Sequence, residues 1–269
     1  MNRRQFALAA SALAFTGVAL GAAHAEPDNS LAAVVAGPQR GAKNRSRDPF
    51  RHPAQSLGFW GLAPGMTVVE IDPSGGYWTE ILAPYLKATR GRYIAAMDGD
   101  TVAFRARYAD PAVWGAIDVA DFGPTSGPLA PPTSVDLLLT ARNIHDWLWI
   151  PGFLDKALAD FHAALKPGGI LAVEEHRADP RPMVAEARDG YVSTAFLAAA
   201  VEKTGFRLAA SSEINANPKD TKDYPFGVWT LPPSLRSHAK DQPTPPGYDP
   251  AKYVAIGESD RMTLRFVKT

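Results

Sequence analysis

Apolar residues along this chain gather into short unbroken runs set between longer amphipathic stretches, and the alternation of the two predicts an α/β domain. Residues 66–71 read as a first strand, residues 93–97 as a second, and residues 135–140 as a later one whose continuous apolar character suits burial on both sheet faces. Helices are expected over residues 77–86, over residues 152–165, where Pro167-Gly168-Gly169 supplies the stop, and over residues 195–204, ending near Gly205. Residues 170–173 give a further buried strand and residues 262–267 a terminal one. This order predicts a mostly parallel central sheet flanked by helices, with ligands bound outside the carboxyl ends of its strands.

Two stretches interrupt the pattern. Residues 26–65 form an N-terminal arm with the charged, proline-punctuated run Arg45-Ser46-Arg47-Asp48-Pro49-Phe50-Arg51-His52-Pro53, which serves either as a lid over the sheet edge or as surface packing. Arg47 and Arg51 either clamp an anionic substrate or pair with acids of the same protein. Residues 215–253 are long, proline-rich and poorly periodic, which predicts a loop insertion within one domain spanning residues 66–269. No internal repeat is visible.

The beginning of the chain changes the expected location. Asn2-Arg3-Arg4-Gln5-Phe6 precedes an alanine-rich apolar run, and Ala23-His24-Ala25 offers a small-x-small cleavage site, so residues 1–25 resemble a twin-arginine export signal. A Sec-type signal is the alternative. The run is too short and too weakly apolar for a lasting membrane helix, and cleavage after Ala25 predicts a periplasmic protein of about 244 residues with no membrane contact. Removing Arg3 and Arg4 from the 28 basic residues leaves 26 against 28 acidic ones, a balance that argues against nucleic acid or anionic lipid as a partner. With no cysteine, disulfides, thiolate catalysis and Cys-bound metals are excluded.

Candidate chemistry begins where the first strand ends. Val68-Val69-Glu70-Ile71-Asp72-Pro73-Ser74-Gly75-Gly76 closes an apolar run on an acid and opens into paired glycines, whose freedom from a Cβ lets a ligand approach the main chain. The alternative is a tight strand-to-helix turn without a ligand. Pro73 removes an amide donor, and Glu70 with Asp72 would repel a pyrophosphate, so the loop suits a ligand with a cationic or hydroxylated group.

A second set stands beyond the strand at residues 135–140. Asn143, His145 and Asp146 lie past its end, and Glu174, Glu175, His176 and Arg177 lie past the next core strand. If the two strands are neighbours, His145, Asp146 and His176 converge on one rim and can run proton transfer, with a histidine taking the proton of a hydroxyl nucleophile. The same set offers ligands to a divalent metal, although no compact metal motif is present. Trp147-Leu148-Trp149 reads as packing at a helix start or as an aromatic substrate wall.

These segments carry a resemblance. The loop Glu70-Ile71-Asp72-Pro73-Ser74-Gly75-Gly76, the stretch Val135-Asp136-Leu137-Leu138-Leu139-Thr140-Ala141-Arg142-Asn143-Ile144-His145-Asp146, and Leu165-Lys166-Pro167-Gly168-Gly169-Ile170-Leu171-Ala172-Val173 are similar to the ordered motifs of class I S-adenosylmethionine-dependent methyltransferases. Within that superfamily the chain resembles exported, predicted methyltransferases that share an Arg-Asp-x-x-Arg-x-Pro arm, here Arg47 to Pro53, and an ending like Gly257-Glu258-Ser259-Asp260-Arg261.

The resemblance implies a Rossmann-like methyltransferase fold, S-adenosylmethionine as cofactor and a small-molecule oxygen or nitrogen nucleophile as acceptor. It implies that Glu70, Gly75 and Gly76 hold the cofactor's amino acid part, and that Asp98, with Asp100 competing, binds the ribose hydroxyls. Asp121, with Asp118 competing, meets the adenine amino group, and Asp72 and Asn143 complete the expected set. The chain departs from the pattern at Asp72 and Ser74, where the family has glycine. Two further readings stand beside this one: an exported binding or structural module without methyl transfer, and a metal-assisted hydrolase using His145 and His176.

Overall fold

The computed structural model describes residues 30–99 and 101–269. The expected export signal and Asp100 lie outside the described residues. Seven strands run in chain order as β1 Thr67–Ile71, β2 Arg92–Met97, β3 Ile117–Asp121, β4 Val135–Ala141, β5 Leu165–His176, β6 Phe206–Ser212 and β7 Arg261–Lys268. They form one sheet in the order β3-β2-β1-β4-β5-β7-β6, in which β7 alone is antiparallel to its neighbours. The expected mostly parallel α/β sheet is therefore present. The chain reverses direction across the sheet between β1 and β4, and that switch point opens a crevice at the strands' carboxyl ends.

Alternation along β1 builds both layers. Val69 and Ile71 join a core with Leu138, Phe161 and Leu171 on one face, while Val68 joins Leu57, Trp60 and Leu82 on the other. The helix Thr79–Ala88 follows β1, and Phe153–Ala164 precedes β5. Pro167-Gly168-Gly169 does not terminate that helix from outside. It lies inside β5, where the register with β4 steps from Val135 opposite Leu165 to Leu137 opposite Ile170 and leaves residues 166–169 as a bulge. The helix Thr194–Glu202 starts at Ser193, whose hydroxyl accepts from the Phe196 N–H.

The arm is helical and docks on the domain. Its segments include Asp48–Arg51 and Pro53–Trp60, and the buried Trp60 indole donates to the Leu264 carbonyl of β7. Arg40 binds Asp48 through two hydrogen bonds of 2.6 and 2.7 Å, and the Tyr77 hydroxyl donates to the same carboxylate, so the arm is fixed beside the loop that follows β1. Residues 215–253 contain a short 3-10 turn, Gly227–Thr230, and lead into the helix Pro250–Ile256. Among the described residues no helix is long and apolar enough to cross a membrane.

Candidate functional site

The loop after β1 takes the shape its glycines predict, and takes it at non-glycine positions too. Asp72 and Ser74 have φ of 46° and 50°, and Gly76 has φ of 76°, so all three lie in the left-handed region. The Asp72 N–H donates to the Ala96 carbonyl at the end of β2, which ties the turn to the sheet. A Cβ on Gly76 would lie 1.7 Å from the Tyr108 hydroxyl, whereas one on Gly75 would meet nothing within 4 Å. Gly76 is thus required by packing, and Gly75 leaves open space.

Two adjoining cavities meet at this loop. The larger, about 620 Å³, lies over the ends of β1, β2 and β4 and is walled by the carboxylates Asp72, Asp98 and Asp146, by Asn143, and by the rings of Phe104, Tyr108, Phe122 and Trp147. The smaller, about 260 Å³, shares Asp72, Ser74, Asn143 and Asp146 with it and continues past Gly75 to Arg47, Arg142 and Tyr77. Asn143 holds the partition in place by donating from Nδ2 to the Ile71 carbonyl at 3.0 Å. The buried Tyr108 hydroxyl and Trp78 indole N–H have no protein partner.

Glu70 faces the smaller cavity but is engaged from within. Its Oε2 accepts from Thr79 Oγ1 at 2.9 Å and from the Tyr93 hydroxyl at 2.5 Å. Burial pushes its pKa up to about 7 against the two hydrogen bonds. Asp72 is pushed up to about 6, by burial first and then by the charges of Asp98 and Asp146. Three acids crowded on one wall resist further negative charge and favour a cationic guest.

The rim residues converge, since β4 and β5 are neighbours. His145 lies in the short helix Ile144–Trp147, with its ring 5.1 Å from that of His176. Its Nδ1 is 2.9 Å from Glu175 Oε1, while Glu175 Oε2 accepts from the Ile144 N–H at 2.8 Å. Burial lowers the His145 pKa, but the Glu175 charge and hydrogen bond, with Asp146, carry it above the ordinary value. His176 is held well below, by burial first and then by His145, Arg142, Arg261 and Arg51, and its Nδ1 pairs with the Ser259 hydroxyl. Neither histidine is on a wall of the two cavities. Asp146 is on both, with its Oδ1 3.6 Å from His145 Nε2 and its pKa raised by burial.

The remaining sequence candidates separate. Asp98 is exposed at the end of β2 and reaches the larger cavity. Asp121 is exposed at the end of β3 and does not line that cavity, where its neighbours Phe122 and Gly123 do. Asp118 pairs with Arg92 on the surface. Trp147 both lines the cavity and packs against Phe122, Phe153 and Phe161. Arg47 and Arg51 bind Glu258, at 2.5 and 3.0 Å. The sequence reading missed Phe104, in the helix Val102–Arg107, and Tyr108, which follows it, since that segment carries no motif, and Arg142, whose place after β4 was the one available signal.

Comparison with known proteins places the fold. No protein-family model matches the chain, and no curated protein matches its sequence. Among solved structures, it is similar to a SAM-dependent methyltransferase from Aquifex aeolicus, with 17% identity and a TM-score of 0.54 over 83% of this chain and 93% of that one. The [4+2]-cyclase SpnF is similar over 88% and 91%, with 16% identity and a TM-score of 0.57. A putative methyltransferase solved in complex with the Haloferax volcanii Trm112 methyltransferase activator gives 18% identity and a TM-score of 0.51 over 84% and 93%.

Proposed function

We propose that this chain, which has the α/β Rossmann-like methyltransferase fold, is an S-adenosylmethionine-dependent methyltransferase acting on an oxygen or nitrogen nucleophile of a small molecule. Because one protein with this fold is named as a cyclase, fold alone does not carry the reading. The observation that carries it is the larger cavity, placed at the switch point of the sheet, walled by three carboxylates on one side and aromatic rings on the other.

The residues present fit the cofactor. Carboxylates accept from ammonium and hydroxyl groups, aromatic faces suit both a purine and a sulfonium, and the unpartnered Tyr108 hydroxyl offers a donor or acceptor to a bound molecule. In this reading Asp98 accepts from ribose hydroxyls and Asp72 faces the amino acid part, which their positions on the larger cavity's wall support. Phe122 and Trp147 supply the apolar enclosure. When bound, the cofactor supplies an electrophilic methyl group.

The chain's own contribution is to orient and deprotonate the acceptor. Asp146 stands, with Asp72, where the two cavities meet, and as the carboxylate paired with His145 it takes the proton in this reading. His145, held by Glu175, opposes the upward push that burial, and then the Glu175 charge, exert on the Asp146 pKa. His145 therefore acts through Asp146, and His176 through packing against His145.

A divalent metal is the competing use of this rim. His145, Glu175 and His176 place ligand atoms within 4.8 Å of one another. Both Glu175 oxygens already accept from backbone N–H groups, and three guanidinium groups act electrostatically on His176, so the surroundings favour the hydrogen-bonded pair over a cation. On the sequence alone, Arg3-Arg4 and the Ala23-His24-Ala25 site support work in the periplasm, which N-terminal sequencing of exported protein checks by finding Glu26 first.

The cofactor map is tested by calorimetric titration of S-adenosylhomocysteine into the wild type and Asp98→Ala. The expected result is a loss of affinity of about tenfold or more with an unchanged circular dichroism spectrum, the scale of two lost hydrogen bonds to a carboxylate. Equal affinity in the two proteins would remove Asp98 from the site.

A further inference from the structure

The smaller cavity carries arginines that the acidic wall of the larger one lacks, set beside Glu70 and the shared Asp72 and Asp146. Arg47 and Arg142 line it without reaching the larger cavity. Behind them lie Arg51 and Arg261, each 1% exposed or less. The carboxylates set against these four guanidinium groups are Glu174 and Glu258. Arg261 takes both of them, with Nη1 2.7 Å from Glu174 and 2.9 Å from Glu258. Glu175 is engaged with His145 and adds nothing to the balance.

The excess positive charge is matched by unused donors. Arg51 Nη1 and Nη2, Arg47 Nη2 and Arg142 Nε are buried without a hydrogen-bond partner. Buried guanidinium groups left in this state carry the desolvation cost of each donor, offset in part for Arg51 by the Tyr77 ring 4.5 Å from its guanidinium carbon. Burial and the neighbouring arginines bring Arg51 down to about 10 and lower Arg47 and Arg142, as expected of cations short of counter-charge. The one acid on this wall that is absent from the larger cavity, Glu70, has its pKa pushed up to about 7 by burial.

We propose that Arg47 and Arg142, with Arg51 buried behind them, form an oxyanion subsite that takes a carboxylate of the methyl acceptor. The anion site follows from the unfilled donors; the word acceptor rests on the methyltransferase reading. A planar carboxylate matches the guanidinium fork. The cavity of about 260 Å³ holds such a group and the few atoms attached to it. Its nucleophile then points to the junction, where Asp146 stands, and a cationic methyl donor among the acids of the larger cavity faces an anionic partner across Ser74 and Asn143.

Benzoate tests the subsite, by thermal shift and calorimetry in chloride-free buffer on the full mature chain saturated with S-adenosylhomocysteine. The expected result is saturable binding to the wild type that the double variant Arg47→Gln/Arg142→Gln weakens by about tenfold or more, with S-adenosylhomocysteine affinity retained. Arg47→Lys alone, which keeps the charge and loses the fork, should give an intermediate loss with wild-type circular dichroism. Benzoate binding that is absent, or equal in wild type and double variant, overturns the proposal. It is also overturned if the double variant loses S-adenosylhomocysteine but keeps 5′-methylthioadenosine, since the arginines then hold the cofactor's own carboxylate. Should neither nucleoside bind, the methyltransferase reading fails while the benzoate arm, run without nucleoside, still decides the anion site.

Discussion

Glu70 stands between opposing effects, with burial raising its pKa to about 7 from an ordinary 4.5 while Tyr93 and Thr79 donate to it. Between those two values the folded chain holds more protons than the unfolded one, so stability falls as pH rises through that window. Asp72, raised from 3.8 to about 6, acts in the same direction over its own window. Glu258, held well below 4.5 by Arg261, Arg51 and Arg47 against burial, acts oppositely and stabilises above 4.5 until acid protonates it. Glu70→Gln should therefore gain stability relative to the wild type between pH 5 and pH 8, by up to about 1.4 kcal/mol per pH unit. Urea unfolding at the two pH values measures the gain, and a difference independent of pH would contradict the assignment. At this scale the sequence exposed the acids that follow strands, because strand ends are readable from apolar runs. It did not expose Phe104, Tyr108 or Arg51's unfilled donors, because these depend on which distant segments meet.

The strand-loop-helix unit after β1 shows what the element adds to its residues. Asp72 and Ser74 adopt the left-handed angles that glycine takes freely, so the turn is preserved at the cost of local strain. Gly76 has no such latitude, since a Cβ there would strike the Tyr108 hydroxyl. Gly76→Ala should destabilise the chain by about 1–3 kcal/mol and displace Tyr108 from the cavity wall. A lowered melting temperature together with changed near-ultraviolet dichroism is expected, and a melting temperature equal to the wild type would contradict the packing. β1, β4 and β5 were legible because burial on both faces leaves continuous apolar runs. β6 was not, since an edge strand alternates and Phe206-Arg207-Leu208-Ala209-Ala210 is easily taken for a helix end. The bulge in β5 hid behind a proline and two glycines that elsewhere stop helices.

At the scale of the whole molecule, the sheet's switch point sets an acidic, aromatic cavity beside a smaller one that adds Arg47 and Arg142, with Asp72, Ser74, Asn143 and Asp146 shared between them. The α/β order predicted this location from the sequence. The polarity of the two cavities was hidden, because it arises from the arm's Arg47 and Arg51 reaching Glu258 over more than two hundred residues of chain. That arrangement suits a cationic donor and an anionic acceptor meeting at the shared wall. Calorimetric titration of the chain with S-adenosylmethionine and with S-adenosylhomocysteine tests whether the larger cavity binds the cofactor as proposed. Saturable one-to-one binding of both at about micromolar Kd is expected. No heat and no thermal shift with either compound would contradict it.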